Sequence, residues 1–485
     1  MKFYPDLDMA KKILHNTDFK SIPITATIDL SLETLQIYKK LKNVSKNVFI
    51  LESCEDKENL GRYSFLGFDP TLEIVAKDKK VKINTGTTLD IECKTPHKYI
   101  RNIINENKSP MIDNLPSFTG GLVGYFSYDF IKYSVNKLNL DANDEENFND
   151  VDLMLFNKII AIDNLNKKII LIINIKTDYL ETNYNKAILE INNLKSLIIN
   201  GDEVKEKSGK LLSPLKAIFN KEQFCEMVNK AKHYIVEGDI FQVVLSNRLS
   251  AKYEGSLIGV YKKLREKNPS PYMFYFSSND IEMAGASPET LVKVYDNKVM
   301  TYPLAGTRPR GKTLEEDNAL EIELLQDLKE RAEHNMLVDL GRNDIGKISE
   351  FGTVKVDEYM KILKFSHVMH IGSTVTGEIR KDLDALDAID AILPAGTLSG
   401  APKVRALEII NELENEKRGV YGGAIGYIDF NGNIDTCIAI RLAFKKNDKI
   451  FVRSGAGIVM DSIPENEYQE CINKAKSVVT VLEGE

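Results

Sequence analysis

The stretch AIGYIDFNGNIDTCIAIRLAFKKNDKIFVRSGAGIVM, residues 424–460, decides the fold class. Its apolar, β-rich runs are separated by Asn431-Gly432 and Asn447-Asp448. Such pairs suit tight two-residue turns, so the runs read as strands folded back on one another. Hairpins imply antiparallel pairing, because parallel neighbours need a long crossover. The same grammar extends toward the N-terminus. Asp296-Asn297 separates TLVKVY from KVMTYP, and Asn279-Asp280 separates YMFYFSS from IEMAGAS. This is not the strand–helix alternation of a doubly wound sheet.

Helical periodicity interrupts the hairpins. Residues 221–236, 256–267, 314–340, 383–392, 402–416 and 463–482 carry apolar side chains at three-to-four spacing. For the last of these Ser462 is the expected N-cap, with Pro464 near the first helical position. Strands and helices in separate runs give an α+β class. Residues 135–150, rich in Asn and Asp, read as a surface loop. NGDEVKEKSGKLLS at 200–213 reads as a connection between an N-terminal region, 1–200, and a C-terminal region, 214–485.

Composition excludes several classes of function. Lys and Arg total 64 against 71 Asp and Glu, a net charge of −7, which disfavours a broad grip on nucleic acid or an anionic membrane. The five cysteines are scattered, odd in number and without a CxxC pair, which fits a reducing cytoplasm better than a disulfide framework or zinc site. The first twenty residues lack the apolar core of a signal peptide, and no apolar run reaches the ~20 residues of a membrane span. Gly341–Lys347 matches GxxxxGK, but Ile348 replaces the Ser or Thr that a phosphate loop needs, and a helical run precedes it; a helix end is the expectation. His367 and His370 form HxxH without the glutamate of a zinc protease.

Glu330 and Glu333 lie three apart on one predicted helix, and Glu467 and Glu470 repeat the spacing on another, with Lys474 on the same face. Such faces are either solvated or a source of oxygen ligands for Mg²⁺. Gly422-Gly423 and Gly455-Ala456-Gly457 either make tight strand contacts or let backbone N–H groups approach an anion. Arg441, in AIAIRLAF, is expected on a strand, facing solvent or gripping a carboxylate. These pieces suit a pocket for a carboxylated small molecule with Mg²⁺.

PLAGTRPRG (303–311), KERAEHNMLVDLGRND (329–344), LPAGTLSGAPKVRA (393–406), GVYGGAIGY (419–427), RSGAGIV (453–459) and EYQECINKA (467–475) together resemble the chorismate-utilising enzymes. The likeness covers almost the whole chain, including ILES at 50–53, and is closest to the members that make anthranilate. The resemblance implies two antiparallel β-sheets packed face to face and flanked by helices. It implies a Mg²⁺-dependent lyase that converts chorismate and ammonia to anthranilate and pyruvate, the first step of tryptophan biosynthesis. Glu333 and Glu470 are the implied Mg²⁺ ligands, with Glu330 and Glu467 supporting through water. Glu289 is the implied general acid, and His370 the catalytic histidine. Gly306, Thr307, Thr397, Tyr421, Arg441, Gly455, Ala456, Gly457 and Lys474 are the implied substrate contacts. Glu52, Ser53, Asn268, Pro271, Tyr272 and Met273 resemble a site for inhibitory L-tryptophan.

Two positions discriminate among relatives. Ala305 stands where aminodeoxychorismate-forming members carry lysine, and Gln242 where water-using members carry it. Both departures favour ammonia as nucleophile and anthranilate as product. No GxCxG nucleophile motif is present, so ammonia is expected from a glutamine amidotransferase partner in a heterotetramer. The competing expectations are an aminodeoxychorismate-forming enzyme and a non-catalytic tryptophan sensor.

Overall fold

The computed structural model describes residues 1–54, 60–135, 137–364 and 368–484; His367 lies outside them. Among these residues the strands form two antiparallel sheets, of fourteen and twelve strands. The strand Lys168–Lys176, KIILIINIK, shows how the sequence builds the layers. It has no polar alternation because both of its faces are covered. Ile169, Leu171 and Ile173 join a core between the first sheet and its helices. Ile170 and Ile172 join a second core between the sheets, with Phe118 of the loop before Gly121–Phe126 and Val123 and Tyr427 of the second sheet. Each such side chain removed from water contributes about 1.5–3 kcal/mol. The helix Leu180–Asn200 buries Tyr184, Ala187, Ile191, Leu194 and Ile198, one face at helical spacing. A third core lies outside the second sheet, beneath the helices Leu328–Gly346 and Ala385–Ile392. The layers run helices, sheet, sheet, helices, which is the expected α+β architecture. No helix among the described residues is long and apolar enough to cross a membrane.

Both chain halves contribute to both sheets. They meet in the first sheet where Val48–Glu52 pairs with Tyr272–Ser277. In the second sheet they meet where Gly121–Phe126 pairs with Ala424–Asp429. The expected hairpin turns are present, with Asp296, Asn297, Asn447 and Asp448 all at positive φ.

Some local expectations change. The predicted 314–340 helix is two, Leu314–Gln326 and Leu328–Gly346, because the Asp327 carboxylate caps the second by accepting from the Lys329 and Glu330 amides. The last helix runs Pro464–Glu483 with Ile463 at its N-cap. Ser462 is not the cap; its Oγ accepts from the Val459 amide instead. The described residues of 135–150 hold no long strand or helix, yet Leu138, Ala142 and Phe148 are buried, so they are packed and not a free surface loop. Gly341–Lys347 is a helix end, as expected.

One corner positions the chemistry. Glu282–Ser287 pairs with Leu442–Lys446 in the first sheet, and Thr290–Tyr295 pairs with Ile434–Ile438 in the second. The chain crosses from first to second sheet through Pro288-Glu289 and returns through Ala439–Arg441. Two paired strands therefore change sheets side by side.

Candidate active site

Glu289 occupies the outward crossover. The Ile438 amide donates to its carbonyl oxygen at 2.9 Å. Its carboxyl accepts from Thr397 Oγ1 at 3.0 Å. Burial pushes the Glu289 carboxyl up to about 7, against the opposing pull of Thr397 and of the Lys474 charge. Thr397 lies in the short turn Gly396–Leu398, and that turn is tied down from behind. Buried Arg418 donates to the Leu398 carbonyl at 2.7 Å and to the Val244 carbonyl at 2.7 Å, and pairs with buried Glu414 at 2.6 Å. Arg453 meets the same carboxylate at 3.0 Å. Removing the Glu414 carboxylate would leave the buried Arg418 charge unpaired, a cost of about 3–5 kcal/mol. Sequence reasoning missed this network, because its members are ordinary charges until the fold buries them together.

Arg441 occupies the returning crossover, not a strand. Its φ is +54°, and its Nη1 donates to the Lys474 carbonyl at 3.1 Å. Gly455, Ala456 and Gly457 lie on Lys449–Ile458. Pairing of that strand with Leu442–Lys446 ends at Val452, while pairing with Gln242–Glu254 continues to Ile458. On the side facing Arg441 the edge beyond Val452 has no partner strand among the described residues, so its amides can meet an anion. A Cβ on Gly455 would lie 3.1 Å from the Tyr421 hydroxyl and 2.7 Å from the Leu245 carbonyl oxygen; the missing side chain lets both approach. Lys474 Nζ donates to the Gly455 carbonyl at 3.1 Å. Gln242, buried at the start of the long strand, comes close to Gly457. Gly423 serves backbone packing, since a Cβ there would lie 2.1 Å from the Phe126 carbonyl oxygen, and Gly422 turns the chain at φ +76° against the Tyr128 ring.

Gly306, Thr307 and His370 form a second group. The strand Leu304–Pro309 bulges between Ala305 and Thr307 against Val368–Glu378, with Gly306 at φ +66°. His370 Nδ1 donates to the Gly306 carbonyl at 2.9 Å and lies 3.0 Å from Thr307 Oγ1. That tautomer places the lone pair of a neutral ring on Nε2. Burial, with help from the Arg441 charge, lowers the His370 pKa and favours the neutral ring.

The carboxylates bring two helices into one field. Glu333 has its pKa raised by burial, by Glu330 on its own helix, and by Glu470 on the last helix. Glu467 is raised by burial and by Glu470. Lys474 Nζ lies 2.6 Å from Glu470 Oε1 and offsets part of this repulsion. Glu330 also meets Arg308 at 3.4 Å. Among the described residues no three His, Cys, Asp or Glu side chains converge to enclose a metal ion. An all-oxygen set with one or two carboxylates still fits Mg²⁺, which keeps waters and shares its shell with an anionic ligand.

A cavity of about 650 Å³ lies between the sheets, at the joint of the chain halves. Glu52, Ser53, Pro271, Tyr272 and Met273 line it. Asn268 does not; it ends the helix Ile258–Lys267, its amide donating to the Leu264 carbonyl. The Glu52 carboxylate accepts from Thr34 at 2.9 Å, Ser64 at 3.3 Å and the Tyr261 hydroxyl, and pairs with Arg265 at 3.0 Å. Sequence reasoning missed Arg62, Lys293, Tyr302, Tyr427 and Asp435 in the wall. The period-two spacing of Asp435 and Cys437 on one strand was the available signal.

A family model described as chorismate binding enzyme matches residues 46–480. Anthranilate synthase component 1 of Acetivibrio thermocellus is 45% identical over 492 aligned residues, covering 99% of each chain. The protein of the same name from Aquifex aeolicus is 42% identical, over 98% of this chain and 97% of its own. The crystal structure of anthranilate synthase component I from Streptococcus pneumoniae TIGR4 superposes with a TM-score of 0.73 at 39% identity, covering 86% of this chain and 92% of that one. The menaquinone-specific isochorismate synthase of Escherichia coli shares the fold, with a TM-score of 0.69 at 17% identity and 98% coverage of both chains. The chain belongs to the chorismate-binding enzyme family, among the proteins called anthranilate synthase component 1.

Proposed function

We propose that this chain converts chorismate and ammonia to anthranilate and pyruvate. The observation that carries the reading is the corner itself: a carboxyl held near neutrality and an arginine sit on adjacent crossovers beside an open, glycine-rich strand edge. Arg441, Tyr421 and the amides of Gly455–Gly457 hold the enolpyruvyl carboxylate. Glu289 gives its proton to the C4 hydroxyl of chorismate, which leaves as water while ammonia adds at C2. Thr397 fixes the direction of that carboxyl. The neutral His370 ring, oriented by the Gly306 carbonyl, polarises the departing hydroxyl or moves a proton at Nε2. Loss of pyruvate then makes the ring aromatic.

Glu333 and Glu470 would hold Mg²⁺, with Glu330 and Glu467 behind them. When bound, the ion neutralises the ring carboxylate and the carboxylates that otherwise repel one another. Ammonia comes from a glutamine amidotransferase partner, and high ammonium replaces it. The cavity between the sheets takes L-tryptophan, whose indole suits its apolar wall and whose amino-acid group suits its polar rim. Bound tryptophan lowers turnover.

The test is product analysis by mass after incubation with chorismate, Mg²⁺ and high ammonium. Equal amounts of anthranilate and pyruvate are expected. Aminodeoxychorismate would overturn the assignment drawn from Ala305 and Gln242, and no turnover would favour the sensor.

A further inference from the structure

The two cavities share one wall. Lys293, Asp435 and Cys437 face the 650 Å³ cavity from the paired strands Thr290–Tyr295 and Ile434–Ile438. Thr290, Leu291 and Ile438 of the same strands border the small pocket at Glu289. Tyr302 borders both.

Tyr272 ties this wall to the opposite sheet. Its ring lines the large cavity. Its hydroxyl donates to Asp435 Oδ1 at 2.8 Å and accepts from Thr290 Oγ1 at 2.9 Å. Lys293 holds the other Asp435 oxygen at 3.3 Å. Thr290 follows Glu289 directly, and neither it nor Glu289 lines the large cavity. A second link runs through the backbone. Tyr272 pairs with Ser287, whose hydroxyl donates to the Ile438 carbonyl at 2.7 Å and sits 3.4 Å from the Glu289 amide. Tyr272 is therefore linked to both ends of the Pro288-Glu289 crossover, by its hydroxyl to Thr290 and by its backbone to Ser287.

We propose that Tyr272 and Thr290 are positioning residues that transmit occupancy of the inter-sheet cavity to the Glu289 carboxyl. An occupant that moves the Tyr272 ring draws Thr290 with it and swings Glu289 away from Thr397. The proposal rests on the reading of the cavity as a tryptophan site, and it adds the route by which that site acts.

The experiment separates binding from inhibition. The chain contains no tryptophan, so the indole fluorescence of added L-tryptophan, excited beyond the tyrosine band, reports binding without indole background from the protein. Inhibition is read as anthranilate formation from chorismate, Mg²⁺ and high ammonium. Thr290→Val removes the hydroxyl outside the cavity, and Tyr272→Phe removes its partner. Thr290→Val is expected to bind tryptophan within about threefold of the unaltered chain, while the affinity difference that tryptophan makes at the reaction cleft shrinks about tenfold or more; Tyr272→Phe, altered inside the cavity, is compared at tryptophan concentrations that saturate it. Saturating tryptophan should then leave most of the turnover intact. Thr290→Ser, which keeps the hydroxyl, should restore full inhibition. Inhibition that stays complete in both variants, or that weakens only in step with binding, overturns the proposal. If one variant fails to fold, the other carries the test. No tryptophan binding by the unaltered chain would remove the ligand reading itself, and the route with it.

Discussion

In the inter-sheet cavity polar groups of the wall are already partnered: the Tyr272 hydroxyl meets Asp435 and Thr290, and Lys293 pairs with Asp435. In the reaction cleft the carboxylates of Glu330, Glu333, Glu467 and Glu470 are gathered by two helices against their mutual repulsion, and Glu289 is held up to about 7. The cavity is roomy, about 650 Å³, while the pocket beside Glu289 is about 40 Å³. On the proposed reading the first region is built in advance for a ligand that brings little net charge. The second keeps carboxylate repulsion that Lys474 and Arg308 offset in part, and on the proposed reading a cation and an anionic substrate relieve the rest. Binding is served by satisfied polar groups, and chemistry by perturbed ones.

The contrast breaks first at Glu289. Glu289→Gln keeps the shape and the Thr397 contact but cannot release a proton as a carboxylic acid does; kcat should fall about 10²–10⁴-fold, with tryptophan binding retained. Equal activity in the variant would move the acid role elsewhere. Next comes the metal. Chelation, or Glu333→Gln, should lower turnover at least about a hundredfold while indole fluorescence still reports tryptophan binding, because the cavity shares no carboxylate with the cleft. Loss of both together would show that the two regions are not separately built.

The pH profile sharpens the comparison. The Glu289 carboxyl is raised, so its neutral form prevails below about 7 and is lost above it. At fixed free ammonia, kcat/KM should fall about tenfold per pH unit on the alkaline side. A flat profile there would deny Glu289 its role. The smallest effect belongs to Asn268→Ala. It should cost about 1 kcal/mol or less in denaturant unfolding and change the tryptophan response less than about twofold, since Asn268 ends a helix, reaches the Ser477 carbonyl only at 3.4 Å and does not line the cavity. A large loss of inhibition would place Asn268 in the site after all.

Much of the fold was legible because turn chemistry is local. Asp296-Asn297 and Asn447-Asp448, set between β-rich runs, favour left-handed turns, and the flanking runs then pair as hairpins. The sharing of both sheets by both halves was not legible, because nothing near Glu52 encodes that Met273 will pair with it. Arg441 shows the same limit in the site. AIAIRLAF contains no Gly or Pro, so it reads as one strand, yet the chain changes sheets inside it. The motif gave the residue and the fold gave its place. The break at Asp327 was readable as a cap only once the helix ahead of it was known to end there.

The most direct measurement follows anthranilate fluorescence during turnover of chorismate with Mg²⁺ and high ammonium by the isolated chain, while L-tryptophan is titrated in. A cleft controlled by a separate cavity predicts anthranilate formation that falls to a saturable minimum over the concentrations at which tryptophan binds. Anthranilate formation indifferent to bound tryptophan, or tryptophan binding without any anthranilate, would contradict the account.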